Sequence, residues 1–429
     1  MPDPKQAQAA HAALTADVPV WFEGGHRLGL LTGGDELFPE LVAAIDAARE
    51  QVSLVTYIFY GDACGRAIAD ALIRAAARGV NARVLVDGFG TGKQVPVLRR
   101  WFDASGVAFA VFRPVNRWYA PLQPSQFRRL HPKLVSVDGE VGFVGGINIV
   151  DDRFDVNHGP TETPRLDFAM RVHGPVVSAI AFTFDALWRR ATQGVPWREE
   201  LHALVGGSEW MQRLRALSLR QPPPAFRDTR GMLRPDLAPE RVALVVRDNL
   251  RQRRTIERAY IRAIDQASDR IDLISPYFYP ARSFMRALLR AARRGVKVRV
   301  LLQGKIDYRL AGMASSALYD DMLAHGIRVF EYTPAYLHAK VAVIDDNWAT
   351  VGSSNIDPLS LLLNIEANAL IDDVAFASAL SAAFERAIAQ SREVTKPALV
   401  PGWPPVLRRA FVSSLANWYL RVTGISERY

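Results

Sequence analysis

The order of apolar and polar positions divides most of the chain into two copies of one pattern. In the first copy, SLVTYIFY (53–60) is a strand-like apolar run, CGRAIADALIRAAARG (64–79) has apolar residues at helical spacing, and NARVLVD (81–87) is again strand-like. The second copy repeats that order with DLISPYFY (272–279), ARSFMRALLRAARRG (281–295) and KVRVLLQ (297–303). Gly79 and Gly295 stop the two helices. A further apolar segment follows in each copy, GVAFAVF (106–112) and GIRVFEY (326–332). A unit this long, present twice, indicates duplication and not a solenoid array. Alternating strands and helices predict an α/β fold: two pseudo-symmetric halves with mixed sheets, packed around one shared site. The expected boundaries are a polar segment 1–26, a first half 27–195, a Pro/Arg-rich linker 196–240, a second half 241–396, and an amphipathic C-terminal helix 397–429.

Each copy ends in the same short motif. LHPKLVSVDGEVGFVGGIN contains His131, Lys133 and Asp138, then Gly145, Gly146 and Asn148. LHAKVAVIDDNWATVGSSN contains His338, Lys340 and Asp345, then Gly352, Ser353, Ser354 and Asn355. His to Asn is 17 positions in both. On a strand, residues i and i+2 share a face, so each His and its Lys point the same way. Asp138-Gly139 and Asp345-Asp346-Asn347 are turn formers, so each motif opens a hairpin whose return arm brings Asn148 or Asn355 beside the His–Lys pair.

That convergence carries chemistry. Imidazole acts as nucleophile or acid–base catalyst near neutral pH. Lysine and asparagine donate to the non-bridging oxygens of a phosphoryl group, with Gly146, Ser353 and Ser354 as further phosphate support. No acidic cluster is placed to hold a metal and no cofactor motif is present, so the expected reaction is metal-free phosphodiester exchange through a phosphohistidine. Each half also offers one carboxylate at the head of a strand-like segment, Asp167 in RLDFAMRV and Glu366 in NIEANALI. The expectation is that Asp167 orients His131 and Glu366 orients His338, while Asp138 and Asp345 brace the turns. Asp87 ends a strand opposite Gln303 in the other copy, and a structural role is expected there. The histidines outside the motifs, His26 among them, are assigned ordinary core or surface roles.

The chain resembles the phospholipase D superfamily in its two-motif form, from about residue 27 to 395, and more narrowly the bacterial cardiolipin synthases of the B group. The residues that carry the resemblance are LLTGGDELFPELVAAIDAA, RAAARGVNARVLVDGFG, FRRLHPK, GGIN and HAKVAVIDDNWATVGSSNIDPLSLLLNIEAN. It implies one site between the halves, with one His taking the phosphatidyl group and the other protonating the leaving alcohol. The implied donor is phosphatidylglycerol or a related phospholipid; the acceptor is a second phosphatidylglycerol or another alcohol. The residues alone do not say which His attacks; the resemblance favours His131. The first motif departs by carrying Gly146 where the second has Ser353. Hydrolysis by a phospholipase D, and a nuclease on the same fold, remain the competing readings.

Composition narrows the setting. With 49% hydrophobic and 23% charged residues the chain is globular, and its formal charge of +9 suits anionic lipid or another polyanion. One cysteine, Cys64, rules out an intramolecular disulfide. No apolar run of membrane-spanning length and no signal peptide is seen, so peripheral contact with the cytoplasmic side of the inner membrane is expected, without nucleic acid. The C-terminal stripe Leu407, Phe411, Leu415, Trp418 and Val422 reads equally as an interfacial helix or one packed on the core. FRPVNRWYAPLQPSQFRRL (112–130), which leads into His131, reads as a lipid-entry loop. Oligomeric state does not follow from the sequence.

Overall fold

The computed structural model describes residues 20, 22–114, 129–156, 159–193, 240–247, 254–304, 319–356 and 364–395. The linker, the C-terminal helix and most of the 112–130 segment therefore lie outside the described residues.

The first half runs β1 (Arg27–Thr32), α1 (Gly33–Ala47), β2 (Gln51–Thr56), α2 (Ala63–Ala77), β3 (Asn81–Asp87), α3 (Val95–Phe102), β4 (Ala108–Phe112), a short β5 (Arg129–Leu130), β6 (Lys133–Val137) and β7 (Val141–Gly145). It closes with a small ladder of β8 (Phe154–Asp155) and β9 (Gly159–Pro160), then β10 (Phe168–His173) and α4 (Val176–Gln193). The second half runs β11 (Arg241–Arg247), α5 (Thr255–Gln266), β12 (Arg270–Ser275), α6 (Arg282–Arg293), β13 (Lys297–Gln303), β14 (Arg328–Tyr332), β15 (Val341–Ile344), β16 (Trp348–Gly352), β17 (Asn364–Asp372), α7 (Val374–Ala389) and β18 (Ser391–Glu393).

The strand orders match position by position. The first sheet is β1-β10-β7-β6-β2-β3-β4, and the second is β11-β17-β16-β15-β12-β13-β14, with β18 added at its edge. In both, three parallel strands come from the β-α-β repeat and the motif hairpin adds antiparallel strands beside them. The helix stops are also duplicated. Gly79 (φ 89°) and Gly295 (φ 92°) take the left-handed conformation that ends α2 and α6. Just before them, Arg78 donates to the carbonyl of Ile45 (3.1 Å) and Arg294 to that of Ile264 (2.9 Å), so each caps the end of the neighbouring helix.

Three apolar clusters fill the molecule. One lies outside each sheet, under α1–α3 in the first half and under α5–α6 in the second. The third is shared: Val144, Met170 and Phe184 of the first half meet Val351, Ala369 and Phe384 of the second between the sheets. Helices α4 and α7 seal this layer, α4 reaching β11 and α7 reaching β1. The residues ahead of β1 are held by the second half, since Glu23 pairs with Val242 through N–H···O bonds of 3.0 and 2.9 Å. Buried His26 accepts from Val176 N–H at Nε2 (3.1 Å) and donates from Nδ1 to the Glu240 carbonyl (3.0 Å), joining the start of α4 to the approach to β11.

Candidate active site

The motif turns fix the strands that carry the site. Asp138 and Asp345 sit at φ 53° and 52°, in the left-handed region that Asp tolerates better than most residues. The Asp138 carboxylate accepts the N–H groups of Arg49 (2.8 Å), Glu50 (2.9 Å) and Gln51 (2.8 Å). Asp345 accepts those of Ser268 (3.0 Å), Asp269 (2.9 Å) and Arg270 (3.1 Å). Burial pushes both carboxyls up, but these donors outweigh it and hold them below the usual range. Both therefore brace their hairpins and stand away from the reacting groups. Asp138→Ala removes three accepted bonds, Asp345→Ala four with that of the Ser268 hydroxyl (3.0 Å), and both leave Ala at positive φ. Each is expected to cost roughly 2–4 kcal/mol, read as a fall in thermal midpoint.

The histidines lie where each chain crosses to the other half. β5 leaves the first sheet and pairs in parallel with β17, Arg129 opposite Asn364 and Leu130 opposite Ile365, and His131 N–H then donates to Ile365 O (3.0 Å). In the second half Leu337 bridges Leu166, and His338 N–H donates to Leu166 O (2.9 Å). Asp87 and Gln303 steer these crossings. Asp87 Oδ2 accepts Leu130 N–H (2.8 Å) and Gln303 Oε1 accepts Leu337 N–H (2.6 Å). Their role is structural, and each acts on the residue immediately before a motif histidine.

The crossing reverses the expected pairing. His131 Nδ1 is 2.8 Å from Glu366 Oε2, and His338 Nδ1 is 2.7 Å from Asp167 Oδ2. Each imidazole is oriented by the carboxylate of the opposite half. The reason is the sheet order: β10, which Asp167 precedes, is separated from β6 by β7. Two ladder steps of about 4.8 Å put Asp167 out of reach of His131, and the crossing strand supplies the nearer partner. A carboxylate only accepts, so Nδ1 carries the proton in both rings and Nε2 keeps its lone pair.

The electrostatics fit that tautomer. Burial lowers the pKa of both imidazoles; Lys340 adds to the effect and brings His338 to about 3, with Asp167 opposing. For both carboxyls burial is again outweighed, for Asp167 by Lys340 and His338 and for Glu366 by His131 and Arg247, so both stay anionic. Lys133 Nζ donates to His131 O (2.8 Å), and Lys340 Nζ donates to His338 O. Burial, with Lys340 adding to it against Glu366, lowers Lys133 to about 7. The site thus presents neutral imidazoles, anionic braces and two buried lysines. It is not symmetric in access, since the His131 side chain is 10% exposed and that of His338 is 27%.

The return arms differ from expectation at the serines. Ser353 Oγ donates to Glu366 Oε2 (2.5 Å) and accepts Ala367 N–H (3.1 Å), so its one hydroxyl proton is committed to the carboxylate behind His131. Ser354 is buried, its N–H on Asn368 Oδ1 (3.2 Å) and its hydroxyl 3.4 Å from Arg247. Gly146, the counterpart of Ser353, leaves room that Asp167 fills: a Cβ there would lie 2.3 Å from Asp167 Oδ1. Gly146→Ser is expected to push Asp167 off His338 and to lower turnover by roughly 10²-fold, measured as kcat. Asn148 Oδ1 accepts Ile58 N–H (3.2 Å), leaving its amide N–H groups as donors. Asn355 occupies the matching place, since Ile149 and Ile356 just beyond the two asparagines take the same bridges to Phe59 and Phe278. Among the described residues no three His, Cys, Asp or Glu side chains gather in a metal-binding group.

Sequence reasoning missed three residues. Tyr57 stands edge-on to His131 with ring centroids 4.9 Å apart, and Lys133 Nζ is 5.5 Å from its ring. Arg247, fully buried, lies opposite Glu366 in the β11–β17 register. Arg165 adds positive charge near His338. The only available signals were a tyrosine where the other copy has Pro276, and charged residues beside apolar strands.

Residues 41–159 and 260–388 match the family described as cardiolipin synthase, PLD-like domain. Cardiolipin synthase B of Escherichia coli (strain K12) is 36% identical over 357 residues, 82% of this chain and 78% of that protein. The chain belongs to the cardiolipin synthase family of phospholipase-D-like enzymes. Cardiolipin synthase A of Pseudomonas putida (strain GB-1) belongs to the same set of relatives, 31% identical over 373 residues, 86% of this chain and 70% of that protein. The fold recurs beyond the family. A phosphatidylserine synthase from Haemophilus influenzae Rd KW20 superposes with a TM-score of 0.64 at 12% identity, covering 98% of this chain and 99% of its own. A polyphosphate kinase from Porphyromonas gingivalis gives 0.51 at 15% identity, covering 91% of this chain and 53% of its own.

Proposed function

We propose that the protein is a cardiolipin synthase that moves a phosphatidyl group from phosphatidylglycerol to a second phosphatidylglycerol and releases glycerol. The observation that carries this reading is the pair of crossed imidazole–carboxylate contacts, His131–Glu366 and His338–Asp167, with a buried lysine beside each. His131, the less exposed ring and the one whose carboxylate is also held by Ser353, attacks phosphorus through Nε2. His338, more open to exchanging alcohols, takes up a solvent proton on Nε2 as the donor binds, gives it to the departing glycerol and then regains one from the incoming hydroxyl. A phosphodiester anion between the rings offsets the lysine charge and raises the proton affinity of His338 when it is needed. Lys133, Lys340, Asn148 and Asn355 hold the non-bridging oxygens.

Phosphatidylglycerol vesicles incubated with the protein and a chelator are expected to yield cardiolipin and glycerol. Phosphatidic acid as the sole product would make the protein a hydrolase, and DNA cleavage without lipid turnover would make it a nuclease. Among the described residues no helix is long and apolar enough to cross a membrane. The formal charge of +9 supports peripheral binding to anionic lipid on the cytoplasmic face of the inner membrane.

Lys133 gives the reaction a pH signature. Its ammonium is charged below about 7 and neutral above, so kcat/KM is expected to decline as pH rises through that value. Lys133→Arg, which keeps its charge, is expected to lower the rate and remove the decline. A wild-type profile flat to pH 9 would contradict this role.

A further inference from the structure

We propose that Arg129 seats a second phosphodiester, that of the acceptor phospholipid, and so determines which alcohol completes the transfer; this rests on the reaction proposed above. Arg129 stands two residues before His131, on β5 against Asn364. Its Nη1 is buried and has no hydrogen-bond partner. The nearby acid, Asp87, does not reach Nη1 and is engaged by backbone donors: Oδ2 accepts Leu130 N–H (2.8 Å) and Oδ1 accepts Phe89 N–H (2.8 Å) and Gly90 N–H (3.0 Å). The guanidinium lies instead over the Phe89 ring, 4.9 Å from its centroid, and Phe89 is 62% exposed. The turn that carries Phe89 is pressed on the reaction centre. A Cβ on Gly90 would fall 2.5 Å from Tyr57 O, and the Tyr57 ring touches His131.

A buried guanidinium N–H without an acceptor is a standing cost that a bound anion removes. Two non-bridging oxygens of a phosphodiester match the guanidinium fork, and an exposed aromatic beside it suits the apolar part of a lipid. The position is one-sided, because the residue two before His338 is Tyr336. The two motif lysines serve the phosphorus under attack. An acceptor phospholipid brings its own negative charge within a few bonds of the hydroxyl it presents, and that charge needs a separate cation. In the transfer step the P–N bond to His131 breaks, the acceptor oxygen forms the new P–O bond, and its proton passes to His338. Arg129 takes no part in these bond changes; it holds the acceptor.

The test uses the full chain and its Arg129→Gln variant with phosphatidylglycerol in mixed micelles. The ratio of cardiolipin to phosphatidic acid formed in one reaction is independent of the fraction of protein that is folded. It is expected to fall roughly tenfold or more in Arg129→Gln, with Arg129→Lys between the two. Offered glycerol and its methyl phosphodiester together, the wild type is expected to favour the charged acceptor and Arg129→Gln to lose that preference. An unchanged ratio and preference overturn the proposal. So does a proportional loss of all products with weaker pelleting on anionic vesicles, which would make Arg129 a surface headgroup contact. A wild type that makes no cardiolipin yet keeps an Arg129-dependent preference for the charged acceptor would refute the cardiolipin reading and leave the anion site standing.

Discussion

Four single variants, Asp167→Asn, His338→Ala, Glu366→Gln and His131→Ala, are expected to fall into two pairs that cross the halves. With phosphatidylglycerol as donor all four lose turnover, the carboxamides by on the order of 10³- to 10⁴-fold, because an amide no longer enforces the Nδ1–H tautomer. A p-nitrophenyl ester of phosphatidic acid separates them. Its leaving group departs without a proton, so the first step needs only an intact nucleophile. Asp167→Asn and His338→Ala should release one equivalent of p-nitrophenol and stall with phosphatidyl on His131, because the base that activates the acceptor is left in the wrong tautomer in the first and missing in the second. Glu366→Gln and His131→Ala should give no burst. The grouping reports the pairing, and the group that bursts reports the nucleophile. Asp167→Asn behaving like His131→Ala would restore same-half pairing; a burst from Glu366→Gln and His131→Ala would make His338 the attacking group.

Much of this site was legible in the chain, and the unread parts share a cause. Repeat, hairpins and the His–Lys faces follow from local periodicity, and local periodicity built them: β3 and β13 end at Asp87 and Gln303, and β6 and β15 carry the motif runs. Asp167 and Glu366 stood out as carboxylates heading strands. Their partners did not, because chain separation within a half is silent on which strand a crossing segment joins, and β5 joins β17 of the other sheet. Ser353 was read as a phosphate donor because the fully buried Glu366 beside it is 13 residues further on. Tyr57 and Arg247 escaped because they break the repeat. Their counterparts are Pro276 in the sequence and, by strand register, Gly33, whose N–H donates to Asp167 O (2.9 Å). Asymmetric residues carry no repeat signal, yet they are what makes two equivalent histidines unequal.

Arg247 is where that inequality has its largest consequence for stability. Arg247 and Glu366 are both fully buried and lie opposite each other in register. Arg247→Met leaves Glu366 without that compensation, a change expected to cost about 3–5 kcal/mol in denaturant unfolding at pH 7. The pH dependence distinguishes lost charge from lost packing. Burial pushes the Glu366 carboxyl up, and His131 and Arg247 together hold it below its ordinary value of 4.5. A depressed carboxylate contributes stability that is present above the unfolded pKa and lost as pH falls through the folded one. Without Arg247 the folded pKa rises, so the variant should begin losing stability at a higher pH than the wild type. The acid limb of its kcat/KM profile should move upward as well, because His131 then sits in a less positive field. Arg247→Lys should recover part of the stability but not the wild-type profile, since an ammonium lacks the fork that reaches both Ser354 Oγ and Asn364 O, each at 3.4 Å. If Arg247→Met unfolds at the wild-type denaturant midpoint at both pH 5 and pH 7, the arginine is a passenger and the nucleophile must be set by Ser353 and Tyr57 alone.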